Sequence, residues 1–268
     1  MPDPSPGLRI SRVLSRYFDG RSETSLDPDL RVFVADLVRP HGLPLREDLL
    51  RQGVGHSYGE LGEVLLGEAL AADQPVDLLI VAFDVPDVRP GRSTAVHLSR
   101  FCPGSPLAFA VCDQGPAAAF TALRIAADYH RSGACRRAVV LVMEQTELHY
   151  RPAEPVRLPD RHCAVLLVCE EGEGEGMSVR QSSGADLGPD LGAELVRAER
   201  KALGPEAAVV LGAQLAGSEL DPGQPLTGVW TELAAGLPQW TAEGRPVLVA
   251  DLDPRLGRIS TLALPVPG

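Results

Sequence analysis

The sequence predicts an α/β fold built from two similar halves. Short apolar segments alternate with segments of helical periodicity, an order typical of βαβ units and a mainly parallel sheet. Residues 76–83 are apolar except for Asp77, as expected for a strand that is covered on both faces. On either side of the charged, glycine-rich residues 170–176, the same order recurs: strand, helix, strand, helix and two closing strands. We therefore predict a duplicated unit, although no residue-level repeat is visible.

The elements of the first half follow from local patterns. Residues 1–30, rich in proline, aspartate and serine, are predicted to form a loosely held lead-in with a candidate short helix at 8–18. Residues 31–38 alternate and are β-branched, which predicts a strand. The further helices are predicted at residues 44–52, 58–72, 93–100 and 116–132, and the further strands at 76–83, 107–112, 137–144 and 162–170.

The second half begins where the composition changes, after residue 176. Its predicted elements are a strand at 177–183, a helix at 191–203, a strand at 207–213, a helix at 226–237, and closing strands at 246–251 and 258–264. The chain is thus divided into a lead-in (1–30), an N-terminal half (31–176) and a C-terminal half (177–268).

Composition and hydropathy exclude several classes of function. The chain has 268 residues, 44% of them hydrophobic, and a formal net charge of −11. This net charge argues against a general nucleic-acid binder, which would need a basic face, so we expect no nucleic-acid partner. The longest apolar runs are too short to span a bilayer, and the first residues contain no apolar stretch of signal-peptide length. We therefore expect a cytoplasmic protein with no membrane partner.

The cysteine and glycine patterns predict that no cofactor is bound. Five cysteines, an odd number without paired spacing, fit a reducing compartment. No pair of cysteines or histidines has the spacing of metal ligands. No glycine-rich phosphate-binding motif is present either. We expect neither a metal nor a nucleotide.

Residues 106–144 are the most informative segment. They are predicted to form a buried strand, a tight glycine-containing turn, a helix of small residues and a second buried strand. The stretches FTAL (120–123), IAAD (125–128), RSGA (131–134) and VVLVME (139–144) resemble the nucleophile region of the thiolase-like superfamily, in particular its ketoacyl-synthase III branch. The resemblance covers roughly residues 58–266 and implies a thiolase-like fold with α-β-α-β-α layers, here with a trimmed C-terminal half.

The same resemblance implies that the usual chemistry is missing. In that family an acyl-accepting cysteine begins the helix, where backbone N–H groups and the helix dipole favour the thiolate. Here the slot holds Pro116, after Gln114 and Gly115 on the elbow that faces the cavity. Proline has no thiol, hydroxyl or N–H, yet it suits the first turn of a helix. The family's histidine and asparagine are also absent, since residues 210–219 contain no histidine and residues 223–226 read GQPL.

Two elbow residues remain candidates for chemistry in a repurposed site. Cys112 ends the predicted strand, although a thiol at this place is more often a small apolar group that points into the core. The neighbouring Asp113 should raise the pKa of that thiol rather than lower it. Asp113 can itself act as a general base, or it can form the turn and cap the following helix.

Glu144 is the third candidate. Together with His149 and His162 it forms the acid–imidazole grouping near the predicted cavity. The resemblance implies instead a structural role for this acid at a dimer edge. His56 precedes a predicted helix and is expected to be exposed.

The function that follows is that of a non-catalytic, ketosynthase-like partner subunit, similar to a chain-length factor, in polyketide or related secondary metabolism. The resemblance implies a heterodimer with a catalytic ketosynthase, or else a homodimer, with an acyl carrier protein as a further candidate partner. Small residues on the elbow helix would let two such helices approach closely: Ala117, Ala118, Ala119 and Ala122. The alternatives are a repurposed thiolase-fold enzyme that acts on an acyl thioester through Cys112, Asp113 or Glu144, and a stand-alone acyl-chain-binding protein.

Overall fold

The computed structural model describes residues 6–184, 188–215, 218–220 and 222–266, so the first five residues of the predicted lead-in lie outside it. Its strands are Gly7–Phe18 (β1), Leu78–Ala82 (β2), Leu107–Val111 (β3), Arg137–Glu144 (β4), His162–Gly172 (β5), Ser178–Ser183 (β6), Ala208–Leu211 (β7), Val247–Asp253 (β8) and Arg258–Leu264 (β9). Its α-helices are Glu23–Leu26 (α1), Pro28–Val38 (α2), Glu47–Gln52 (α3), Tyr58–Ala69 (α4), Thr94–Leu98 (α5), Ala117–Arg131 (α6), Pro189–Leu203 (α7) and Gly228–Ala242 (α8).

The strands form two sheets. The first has the order β1-β5-β4-β2-β3 and the second the order β6-β9-β8-β7. Parallel pairing is confined to β2 with its two neighbours and to β7 with β8, while the other pairs are antiparallel. The prediction of mainly parallel sheets was therefore wrong. No helix separates β4 from β5 or β8 from β9, so neither pair has the crossover helix that usually returns the chain for parallel pairing.

Five layers result from the way the helices cover the sheets. One apolar core lies between the two sheets and contains the buried faces of α6 and α8. A second core packs α4 and α5 on the outer face of the first sheet. A third packs α7 on the outer face of the second sheet. This is the predicted α-β-α-β-α arrangement, and among the described residues the second sheet has one strand fewer than the first.

Two elements near the N-terminus differ in type from the prediction: one predicted helix is a strand, and one predicted strand is a helix. Residues 8–18 are not a helix in a loose lead-in but most of strand β1, which pairs along its length with β5. Residues 31–38 are not a strand but part of helix α2, which begins after the N-cap Asp27. The buried residues Leu30, Val34 and Val38 recur every fourth position, so packing on a helical stripe outweighs the β-branched composition.

The small residues of α6 serve the core of the chain itself. Ala118, Ala119 and Ala122 are buried in the core between the two sheets, and Ala117 is buried as well. The expectation that they face a second subunit was therefore wrong, because α6 lies in the middle layer of its own fold. In the described part of the chain, no helix is long and apolar enough to cross a membrane.

Candidate functional site

A cavity of about 340 Å³ opens at the start of helix α6, where the two halves of the fold meet. It lies next to the segments that follow strands β2, β7 and β8 and to the segment that leads into α8. The residues that line it are Asp84, Gly115, Pro116, Pro155, Val156, Arg157, Gly212, Ala213, Gln214, Leu220, Gln224, Pro225, Gly228, Val229, Asp251, Leu252, Asp253, Pro254 and Arg255. None of these residues carries a thiol, hydroxyl, imidazole or amine.

The elbow places Pro116 at the wall of this cavity. Pro116 is the N-cap residue of α6, and no side chain caps the helix. The expected cap by Asp113 is therefore absent, and Asp113 instead has a left-handed backbone with φ of 60°. Gly115 also lines the cavity, and its backbone N–H donates to Oδ1 of Asp84 at 2.9 Å. Gln114 lies beside the cavity wall, where its Oε1 accepts a hydrogen bond from Thr121 at 2.8 Å.

Cys112 and Asp113 are exposed, and neither lines the cavity. Val111 is buried, so alternation along the strand turns the next side chain outward, and the expected core position of Cys112 was wrong. The Sγ of Cys112 donates to Oδ2 of Asp113 at 3.4 Å. Partial burial raises the pKa of the Cys112 thiol, and the carboxylates of Asp113 and Asp84 raise it further. This environment is the opposite of one that activates a thiolate.

Glu144 is buried and holds the segment that leads into α8. Its Oε1 accepts the backbone N–H of Leu226 at 2.8 Å. Its Oε2 accepts the backbone N–H of Thr227 at 2.9 Å, the Thr227 hydroxyl at 2.6 Å and the side-chain amide of Gln224 at 3.2 Å. Burial raises the pKa of Glu144, and the bonds from Thr227 and Leu226 oppose that rise. Glu144 therefore joins β4 of the first half to α8 of the second.

The histidines expected near Glu144 have other partners. Nε2 of His149 lies 2.9 Å from the carbonyl oxygen of Val54, and both nitrogens of His162 contact Thr146. His56, expected to be exposed, is buried, and its ring packs edge-on against that of His162 with centroids 4.8 Å apart. Burial and the neighbouring His56 lower the pKa of His162 to about 4. No contact joins either predicted imidazole to Glu144 within the described residues.

The carboxyl groups of the cavity were not predicted from the sequence. Asp251 and Asp253 lie two positions apart at the end of β8, so both point to the same face of the strand. Both line the cavity, as does Asp84 after β2. The signal was present: two aspartates follow a buried strand at its carboxyl end, which is where ligands bind in open α/β sheets.

Two glycines make room for these carboxyl groups. A Cβ atom added at Gly212, which follows β7, would lie 1.8 Å from Oδ1 of Asp251. A Cβ atom added at Gly115 would lie 2.3 Å from Oδ2 of Asp253. One glycine comes from each half of the chain, so both halves shape the site.

The two aspartates of β8 are equally buried, each 5% exposed, but they accept different hydrogen bonds. Burial raises the pKa of Asp251 to about 8. Asp253 and Glu144 add to that rise, whereas a hydrogen bond from the N–H of Leu252 and the charge of Arg157 oppose it. Asp253 accepts the backbone N–H of Arg255 at 2.8 Å. A pair of carboxyl groups with different environments is a common basis for acid–base chemistry.

The described residues contain no group of three or more histidine, cysteine, aspartate or glutamate side chains that could hold a metal ion. The chain also matches no protein-family model and no curated protein.

Solved structures do resemble it. A 3-oxoacyl-(acyl-carrier protein) synthase from Burkholderia xenovorans superposes with a TM-score of 0.60 and 14% identity, over 98% of this chain and 95% of that one. A priming β-ketosynthase from the R1128 polyketide pathway gives 0.59 and 15%, over 100% and 99%. An acyltransferase gives 0.63 and 14%, over 98% of each chain. The chain thus has the thiolase-like fold of ketoacyl-synthase III enzymes.

Proposed function

We propose that this chain is a non-catalytic, ketosynthase-like partner subunit, similar to a chain-length factor. The observation that carries the proposal is the cavity wall at the start of α6, where Pro116 lies and where no lining residue carries a thiol, hydroxyl or imidazole that could accept an acyl chain. Condensation of acyl groups needs a nucleophile that accepts the acyl chain. A subunit with this fold and without that group contributes structure rather than covalent chemistry.

The free edge of the first sheet supports a partner of the same fold. Strand β3 is the last strand of its sheet, and it pairs only with β2 within the described residues. Leu107 at its start is 50% exposed, and Ala110 near its end is exposed too. An apolar strand edge is usually covered, because its free N–H and C=O groups pair readily with another strand. A catalytic ketosynthase is the partner we propose, with a second copy of this chain as the other arrangement.

The pathway rests on analogy of fold. One structural neighbour is a priming β-ketosynthase of a polyketide pathway, and another is an acyltransferase. These neighbours favour polyketide or related secondary metabolism, with a carrier protein as a further candidate partner. Four buried cysteines have free thiols, which fits a reducing compartment: Cys102, Cys135, Cys163 and Cys169. We therefore propose that the protein acts in the cytoplasm.

The geometry gives less support to an enzyme that uses Cys112, Asp113 or Glu144. The first two side chains are exposed and do not line the cavity, and within the described residues the hydrogen bonds that Glu144 accepts come from the segment entering α8. A repurposed enzyme on this scaffold would have to use the cavity aspartates instead.

Co-expression tests the proposed partnership. The full chain is expressed untagged with a tagged ketosynthase encoded by a neighbouring gene, and the tagged protein is purified. We expect equimolar recovery of both chains, and we expect Ala110→Lys to reduce it because a charge then lies on the β3 edge. Val32→Lys is the matched control, because Val32 is 56% exposed on α2, outside that edge. Recovery of the ketosynthase alone, or equal recovery with both variants, would contradict the proposed interface.

A further inference from the structure

The cavity at the start of α6 has features that a partner subunit does not require. We propose that it binds a small uncharged ligand through a carbonyl oxygen, which is hydrogen-bonded to the Asp251 carboxyl group at the cavity wall. This inference does not depend on the partner subunit, because it concerns binding by the chain alone.

The first argument is the position of Asp251. Its side chain lines the cavity although the residue is only 5% exposed. Oδ1 accepts the backbone N–H of Leu252 at 2.8 Å. Within the described residues no hydrogen bond reaches Oδ2. A protonated carboxyl group is a donor that needs an acceptor, and a ligand in the cavity can supply one.

The second argument is the room that the fold reserves for this group. Any side chain at Gly212 would collide with the Asp251 carboxyl group, and any side chain at Gly115 would collide with that of Asp253. Both glycines border the same cavity. Each of the two carboxyl groups thus has its own glycine, and because a buried carboxyl group destabilises a fold unless it is paired, the room that Gly212 leaves for Asp251 points to a use.

The charged groups around Asp251 favour its neutral form. Burial raises its pKa to about 8, and Asp253 on the same strand and Glu144 on β4 act in the same direction. Arg157, which also lines the cavity, acts against them. Arg255 lies near Asp84, with 3.7 Å between Nη2 and Oδ1. At neutral pH the buried carboxyl group is therefore a hydrogen-bond donor.

The residues of the cavity wall favour an uncharged ligand. Pro116, Leu220 and Val229 present apolar surface, which suits an uncharged molecule. A cation would lie beside the guanidinium groups of Arg157 and Arg255, and an anion would lie beside the carboxylates. The volume of about 340 Å³ is at the lower end of the range for small-molecule sites, so the ligand is small.

Three probes that share one ring separate these possibilities: cyclohexanone, cyclohexylamine and cyclohexanecarboxylate. Binding to the full chain is followed by NMR through the backbone amide signals of Gly115 and Gly212. We expect saturable shifts with the ketone at pH 6, and weaker binding of the amine and the acid. Ketone affinity should fall about tenfold by pH 9, because Asp251 loses its proton and no longer donates.

Two substitutions complete the test, and the Tm of each variant confirms folding. Asp251→Asn keeps a donor, so it should still bind the ketone but without dependence on pH. Asp251→Val replaces the carboxyl group with a small apolar side chain and removes the donor, so binding should fall at least tenfold. Absence of saturable ketone binding up to its solubility would overturn the proposal. Tighter binding of the amine or the acid, equal ketone binding at both pH values, or full ketone binding by Asp251→Val would overturn it as well. The assay uses this chain alone, so its result does not depend on whether the chain binds a partner subunit.

Discussion

The carboxyl group of Asp251 occupies the space that a side chain at Gly212 would need, since an added Cβ atom there would lie 1.8 Å from Oδ1. The two residues are neighbours across the parallel pair of β7 and β8, whose last paired residues are Leu211 and Ala250. The Asp251 carboxyl group and Gly212 therefore pack against each other at the C-terminal ends of the two strands. A larger residue at position 212 should lower the stability of the fold.

Gly212→Ala should destabilise the fold by about 1–3 kcal/mol, because the new methyl group overlaps the Asp251 carboxyl group in a buried site. Asp251→Ala should remove the overlap, so the double variant should lose less stability than the sum of the two single variants. Urea unfolding measures each value. The control is Gly67→Ala in α4, where nothing lies within 4 Å of the new methyl group and helix propensity predicts a gain of up to about 1 kcal/mol. Strict additivity at residues 212 and 251 would show that the contact is not formed.

Stability should depend on pH through Asp251. Its folded pKa of about 8 lies above the ordinary value near 4, so the folded state holds a proton that the unfolded state has lost. This contribution is fully present at low pH and is lost as pH rises from about 4 to about 8. Relative to Asp251→Asn, we expect the wild-type free energy of unfolding to fall by about 2 kcal/mol between pH 5.5 and 7.5. Parallel curves for the two proteins would mean that Asp251 is ionised throughout.

Glu144→Gln should loosen the start of α8. The amide retains one acceptor oxygen and turns a donor toward backbone N–H groups, so we expect a loss of about 1–3 kcal/mol. Hydrogen exchange at Leu226 and Thr227 should accelerate, because both N–H groups donate to Glu144. Glu232→Gln on the exposed face of α8 is the control and should change neither quantity. Unchanged exchange in Glu144→Gln would remove the structural role assigned to this acid.

Cys112 should be accessible but slow to react. Its pKa is raised, so iodoacetamide should label one thiol per native chain, and the rate should increase steeply above neutral pH. Asp113→Asn should speed the labelling several-fold, because the neighbouring charge disfavours the thiolate. The four buried cysteines should react only after unfolding. Rapid labelling of Cys112 at neutral pH would indicate an activated thiol and would reopen the enzymatic alternative.

The sequence predicted elements well where local pattern and burial agree. Strand β4 has the predicted bounds, and α6 starts one residue after the predicted Pro116. Prediction failed where tertiary pairing decided the outcome. Strand β1 exists because it pairs with β5, whose sequence lies some 150 positions away. Nothing in residues 8–18 alone reveals that partner.

In the candidate site, too, local features could be predicted from the sequence and features that depend on the whole fold could not. The position of Pro116 at the start of a helix could be predicted from the segments around it. The place of Asp251 and Asp253 at the end of a buried strand was visible in the sequence, but the room that Gly212 and Gly115 leave for them was not, because only the fold brings these glycines to them. The outward turn of Cys112 depends on which face of β3 is covered, and this too is a property of the whole chain.

The central claim is that no group in the cavity accepts an acyl chain, and intact-mass analysis after incubation with acyl thioesters tests it most directly. The chain should carry Cys112→Ser, so that the exposed thiol gives no background. A second variant with Pro116→Cys added is the control, since a thiol at the start of α6 should be acylated there. We predict an unchanged mass for the first protein and a single acyl adduct for the second. An adduct on the first protein that maps to a residue of the cavity would contradict the account.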